Sequence, residues 1–406
     1  MSARKRLVSA AAMAGAVLGL AFAAPYAAAQ KKYDSGASDK EIKVGNIMPY
    51  SGPASAYGTI GKVEAAYFKK INDEGGVNGR KINFISVDDG YSPPKTVEMA
   101  RKLVEQDEVL LVFQPLGTPP NSAIHKYMNA KKVPQLFVAT GATKWNDPKG
   151  FPWTMGWQPN YQVEAAFYAK HILANKPNGK IAILFQNDDY GKDYLKGFKD
   201  GLGDKVKMIV SEVSYETTDP TVDSQVVQMQ GSGADVFFNI TTPKFAAQAI
   251  RKAYDIGWKP LHYLNNVSAS IGSVLTPAGL DKSVGLISTQ YLKDPLDEAW
   301  KNDAAMNDWK AFMAKYYPEG DLKDASNIYG YSVAQTMVHV LKQAGDNLTR
   351  ENIMKQAASI KDLVLPLALP GIRINTGPAD FAPFQQEQMV RFDGKQWVRF
   401  GEIMSK

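Results

Sequence analysis

The sequence contains no cysteine. That absence excludes a disulfide framework, a thiolate nucleophile, cysteine metal sites and a lipid-attachment cysteine at an exported N-terminus. Histidine is also scarce: His125, His171, His262 and His339 are dispersed, without the His-x-x-His or His-Glu-x-x-His spacing of metal-dependent enzymes. No Gly-x-Ser-x-Gly elbow or Gly-x-Gly-x-x-Gly turn occurs, and Gly75 to Gly79 follows a helical stretch and precedes a strand-like one, the wrong order for a phosphate-binding turn. Ser92-Pro93-Pro94-Lys95 has Ser-x-x-Lys spacing, but two prolines between the reactive groups argue against the helical turn that would stack them. A secreted hydrolase therefore lacks a visible site, and the pattern implies no metal and no cofactor. Beyond the first 29 residues no apolar run reaches spanning length, and no basic stripe interleaved with aromatics suggests nucleic acid.

What is present begins with Arg4-Lys5-Arg6, an Ala/Leu/Val-rich run over 7–24, and Ala27-Ala28-Ala29 before Gln30. This is the pattern of a secretory signal peptide cleaved near Ala29, and it predicts a periplasmic protein. The formal net charge is +6, and removing Arg4, Lys5 and Arg6 leaves +3, a mildly basic mature chain.

Strand-like runs alternate with amphipathic helical ones: 42–48, 61–74, 81–87, 96–106 and 109–113, then, after Trp157-Gln158-Pro159-Asn160, a second series over 162–256. The alternation predicts an α/β fold of two doubly wound parallel sheets. Longer helical stretches over 297–315, 327–343 and 350–359 break it, and a hairpin around Asp393-Gly394 closes the chain. The expected arrangement is two lobes joined by a three-crossing hinge, with lobe 1 formed by 40–157 plus 291–388 and lobe 2 by 158–290 plus 389–406, acting as a monomer.

Ligands of such sheets bind beyond the carboxyl ends of the strands. In Gln114-Pro115-Leu116-Gly117-Thr118-Pro119, Thr118 can cap a helix that starts at Pro119, and a carboxylate can rest on that start. Ala139-Thr140-Gly141-Ala142-Thr143 offers hydroxyls and close backbone approach. Asn187-Asp188-Asp189-Tyr190-Gly191 puts an aromatic ring at the mouth of the second lobe, while Asp188 and Asp189 suit helix caps.

Ile42-Lys43-Val44-Gly45 leading to Ser51-Gly52-Pro53 and Tyr57-Gly58, Gly75-Gly76-Val77-Asn78-Gly79-Arg80, Val87-Asp88-Asp89, Asn187-Asp188-Asp189-Tyr190-Gly191 and Ile250-Arg251-Lys252-Ala253, in this order, resemble type I periplasmic binding proteins of the leucine/isoleucine/valine class. The resemblance implies a substrate-binding component of an ABC importer that captures a small carboxylate-bearing ligand and presents it to an inner-membrane permease. It implies that Gly117, Thr118, Thr140, Gly141 and Thr143 hold the ligand carboxylate, and that Tyr57 and Tyr190 pack on the ligand. Amino-acid binders of this family place a Glu of the second lobe against the ligand ammonium; this chain has Leu264-Asn265-Asn266-Val267-Ser268 there. Asn265 and Asn266 accept hydrogen bonds but supply no charge, which turns the expectation towards an aromatic or other organic acid, with a branched-chain-type amino acid as the other possibility. Trp157, Tyr190, Tyr91 and Trp145 are the candidates for stacking. The same clamshell also serves as the ligand-sensing module of membrane signalling receptors.

Overall fold

A computed structural model describes residues 31–405. The expected signal peptide and its cleavage point lie outside the described residues. In chain order the regular elements are β1 (Lys32–Tyr33), β2 (Glu41–Met48), α1 (Gly58–Asp73), β3 (Lys81–Asp88), α2 (Pro93–Arg101), β4 (Leu111–Phe113), α3 (Thr118–Lys131), β5 (Gln135–Val138) and β6 (Thr154–Gly156). They continue with α4 (Tyr161–Asn175), β7 (Ile181–Gln186), α5 (Asp189–Leu202), β8 (Ile209–Tyr215), α6 (Asp223–Gly231), β9 (Val236–Ile240), α7 (Pro243–Asp255), β10 (Leu261–Leu264), the single turn α8 (Thr276–Ala278) and β11 (Ile287–Gln290). The last part holds α9 (Ala304–Tyr316), α10 (Ser326–Ala344), β12 (Asn347–Leu348), α11 (Arg350–Ala357), β13 (Gln386–Phe392) and β14 (Trp397–Ser405).

Two sheets organise these elements. The first has the order β3-β2-β4-β5-β6, all parallel. The second has the order β14-β13-β11-β10-β9-β7-β8, parallel from β8 to β11, with β13 and β14 added antiparallel. The runs of β4, β5 and β9 are buried throughout and apolar except for Gln135 and Asn239, as suits strands covered by helices on each side. The helices of 304–357 return to the first sheet: Met306, Trp309, Val333, Met337 and Leu341 share one core with Val44, Val63, Phe68 and Phe113. Gly330 of α10 lets this helix lie against α1, where a Cβ would stand 2.4 Å from Val63 Cγ1. Three chain crossings, at Trp157–Asn160, Tyr291–Lys293 and just before Gln386, therefore join an α/β lobe on each sheet.

One expectation fails locally. Pro93 and Pro94 do not prevent a helix; they are its first two positions in α2, where the missing N–H groups have no intrahelical acceptor to lose. Lys95 nevertheless pairs with Asp88, at 3.5 Å, and not with Ser92.

Candidate ligand-binding cleft

In each sheet the chain reverses direction of progress once, between β2 and β4 in the first and between β7 and β9 in the second. At such switch points the loops diverge and leave a crevice. The two crevices face each other across a cavity of about 950 Å³, counting the space open at its mouth. Its walls include Tyr57 after β2, Gly117 and Thr118 after β4, Tyr190 after β7 and Thr242 after β9.

The first wall is built around two threonines. Gly117 has φ +97°, open to glycine, and a Cβ there would meet Tyr91 Cε2 at 2.4 Å. Gly117, not Thr118, precedes the first turn of α3, and the Thr118 hydroxyl makes no capping bond. It lies 2.6 Å from Thr140 Oγ1. Thr140 Oγ1 already accepts from Trp145 Nε1 at 3.2 Å and from the Ala142 amide at 3.3 Å. With both lone pairs of Thr140 used, its proton goes to Thr118, and the Thr118 O–H is left to donate into the cavity. Because Pro119 and Pro120 carry no N–H, the helix start offers Thr118's own N–H as its one donor ahead of Asn121, whose N–H returns to the Gly117 carbonyl at 3.1 Å. This helix start thus offers fewer N–H donors than a full helix N-terminus.

Thr140, Gly141 and Thr143 do not line the cavity. Thr140 orients Thr118. Gly141 lets the first crossing pass close by, its missing Cβ standing 2.2 Å from the Pro159 carbonyl. Thr143 is a lobe-to-lobe contact, since its N–H and hydroxyl both donate to Asp193 Oδ2, at 2.8 and 3.0 Å.

On the second wall, Asn265 also stands behind the cavity surface. Its amide donates to the Asn239 and Thr241 carbonyls at 3.0 and 3.2 Å and accepts the Tyr190 hydroxyl at 2.6 Å, so it fixes the tyrosine that does face the cavity. Asn266 lines the cavity, but its side chain donates to the Thr289 carbonyl at 2.5 Å and its N–H to Glu164 at 2.8 Å. Glu164 also accepts from Tyr194 at 2.6 Å and Tyr168 at 2.8 Å. Burial pushes its carboxyl up to about 7, against these hydrogen bonds, and burial together with the neighbouring Glu164 holds Glu387 well above the usual carboxylate range. The two acids sit where the crossings meet the second sheet. Asp188 caps α5 through Tyr190 N–H at 2.9 Å, and Asp189 is exposed and paired with Lys144 at 2.5 Å.

Six tyrosines face the cavity: Tyr57, Tyr91, Tyr161, Tyr190, Tyr291 and Tyr329. Tyr91 holds φ +62°, a strained value for a bulky residue, secured by its N–H on Asp89 Oδ1 at 2.9 Å. Trp157 and Trp145 are core residues, their indole N–H groups bound to Thr336 and Thr140. Sequence reasoning missed Tyr161, Tyr291 and Tyr329, and with them Gln290, Lys293 and Asp294. Tyr161 and the 290–294 stretch adjoin predicted crossings, which was the available signal; Tyr329 lies inside a helix and carried none. The 264–268 loop of the second lobe carries no carboxyl, whereas Asp294 on the second crossing is among the residues that line the cavity.

The lobes touch across the cleft. Tyr57 donates to the Val267 carbonyl at 2.9 Å, Ser270 to Asp324 at 2.8 Å, and the Gly272 N–H to the Lys323 carbonyl at 2.9 Å. Among the described residues no group of three acidic or histidine side chains could hold a metal ion, and no helix is long and apolar enough to cross a membrane.

Two α/β lobes, three crossings and a switch-point cavity between them define a type I binding protein of the clamshell kind. The chain belongs to the periplasmic binding protein family, which matches residues 41–395. It is 24% identical over 343 residues to Leu/Ile/Val-binding protein homolog 1 of Brucella abortus, covering 81% of this chain and 86% of that one. Its fold is similar to a branched-chain amino acid ABC transporter protein of Thermus thermophilus with bound valine (TM-score 0.82, 15% identity, 91% and 98% of the two chains). It is likewise similar to a solute-binding protein of R. palustris in complex with 4-hydroxybenzoate (TM-score 0.76, 17% identity, 90% and 97%).

Proposed function

We propose that this protein is the periplasmic substrate-binding component of an ABC importer, taking a small organic acid, aromatic acids foremost, into the cleft and delivering it to an inner-membrane permease. The observation that carries this reading is the Thr118 hydroxyl, with its proton freed by Thr140, at the wall of a tyrosine-lined cavity between the two lobes. One hydroxyl and one N–H suit a carboxylate, and six aromatic rings suit a flat apolar body. Family membership supports transport, and relatives that hold valine or 4-hydroxybenzoate bracket the ligand class. A branched-chain-type amino acid is the second reading; Asp294 at the cavity favours it, and the absence of a carboxylate in the 264–268 loop weighs against it.

The lobes are the moving units in this reading: ligand touching both walls stabilises the closed form, which the permease recognises. Isothermal titration of refolded protein with benzoate-type carboxylates and with Leu, Ile and Val tests the ligand class. Binding of the acids that Thr118→Val weakens about tenfold or more supports it; binding of the amino acids alone overturns the aromatic-acid assignment.

A further inference from the structure

The first crossing carries a chain of hydrogen bonds whose direction is fixed at every link. It begins at Gln114, buried after β4 and held at φ +54°, a value that residues other than glycine rarely adopt. Its Nε2 donates to the Phe137 carbonyl and, at 3.2 Å, to the Tyr329 hydroxyl. An amide nitrogen only donates, so the Tyr329 oxygen accepts and its own proton passes to Gln158 Oε1 at 3.0 Å. With Oε1 engaged, Gln158 turns Nε2 to Tyr161 and donates to its hydroxyl at 3.3 Å. The chain therefore ends on Tyr161 with a proton still to give. Thr140 has no lone pair left for it, since Trp145 Nε1 and the Ala142 amide fill both. Other tyrosines of the cavity have spent theirs: Tyr57 donates to Val267, Tyr190 to Asn265 and Tyr329 to Gln158.

Tyr161 is also well placed and well held. It lines the same cavity as Gln158, Tyr329 and Thr118. As the first residue of α4 it belongs to the second lobe, yet its N–H donates to the Gly141 carbonyl at 2.9 Å and its ring lies on Gly141, where a Cβ would stand 2.7 Å from Tyr161 Cε1. Gly141 follows Thr140, whose hydroxyl lies 2.6 Å from that of Thr118. Behind the ring Tyr194 stacks at 4.4 Å.

We propose that Tyr161 is a second anion donor, so that one ligand carboxylate is held by Thr118 from the first lobe and by Tyr161 from the second, and that Gln158 is the positioning residue that reserves the Tyr161 proton for the ligand. This rests on the reading of the cleft as a carboxylate site. A carboxylate offers an oxygen to each hydroxyl, whereas an ammonium in the same place would meet only donors. An anion shared between the lobes ties binding to closure without any further contact.

The test is calorimetric titration of wild type, Tyr161→Phe, Gln158→Met and the double variant with benzoate, phenylacetate and 3-phenylpropanoate. Tyr161→Phe keeps the ring and should weaken the acid that wild type binds best about tenfold or more. Gln158→Met should weaken it less, and adding it to Tyr161→Phe should cost nothing further, because the proton it positions is already gone. Wild-type affinity in Tyr161→Phe overturns the second donor while leaving the Thr118 site standing. Additive losses in the double variant overturn the positioning role of Gln158. Binding of none of the three acids to wild type overturns the carboxylate reading itself, and the second donor with it. Circular dichroism and the melting point of each unliganded variant separate loss of a donor from loss of fold.

Discussion

At the residue scale, the proposed recognition chemistry turns on which hydroxyl has a proton to give. Thr140 spends its lone pairs on Trp145 and Ala142 and so hands Thr118 a free donor. Thr118→Ser should keep ligand affinity within a few-fold, and Thr140→Val should weaken it although Thr140 touches no cavity space; titration of both variants checks this. Gly117 admits no side chain: with φ +97° and Tyr91 at 2.4 Å from a Cβ, Gly117→Ala should cost about 1–3 kcal/mol of stability in denaturant unfolding and weaken binding by displacing Tyr91. The loops that hold Gly117, Thr118 and Tyr190 were legible because they follow apolar strand-like runs. Thr140, Thr143 and Asn265 were legible only as polar loop residues, since adjacent residues of one loop cannot be sorted into those that face a cavity and those that brace it without knowing which hydrogen bonds are already taken.

At the element scale, most of the alternation in the sequence became strands and helices, with shifts where local geometry intervenes. In the second series β8 begins only at Ile209, because 203–208 wind into a 3-10 turn that starts at the φ +52° of Gly203. The long helix expected over 297–315 is broken, and α9 starts at Ala304 because Asp303 caps it by accepting the Met306 N–H at 2.9 Å. The short strands β10 and β11 went unread: four residues each give too little pattern to separate a buried strand from a loop. Where β11 meets β13, the acids Glu164 and Glu387 share a buried site with Thr289. Both carboxyls are raised by burial, so the stability each confers is fully present below about 4.5, the usual value; that of Glu164 is lost as pH rises through about 7, and that of Glu387 is likewise lost on the alkaline side of the usual value. Denaturant unfolding across that window should show falling stability from this pair, and Glu387→Gln should flatten the fall. A pH-independent midpoint would contradict the assignment.

At the scale of the whole molecule, the division into two sheets was legible in the two series of alternating elements, whereas the closed approach of the lobes was not, because contacts such as Thr143 to Asp193 and Ser270 to Asp324 join residues 50 and 54 positions apart. These contacts join the two lobes, and under the proposed function they favour closure. Asp324→Ala and Asp193→Ala together should favour the open form and raise the radius of gyration of the unliganded protein in X-ray scattering, with ligand restoring compaction. Identical profiles for wild type and variant would show that the latches do not set the lobe equilibrium.

The most direct test of the central claim is the melting temperature of the chain from Gln30 onward, refolded to strip carried ligand, with and without aromatic carboxylates, in wild type and Thr118→Val. A ligand that binds the native state alone raises the midpoint. The account predicts a rise with carboxylates that lack an amino group, strongly diminished in Thr118→Val. A rise with Leu, Ile or Val alone, or one that Thr118→Val leaves unchanged, would contradict it.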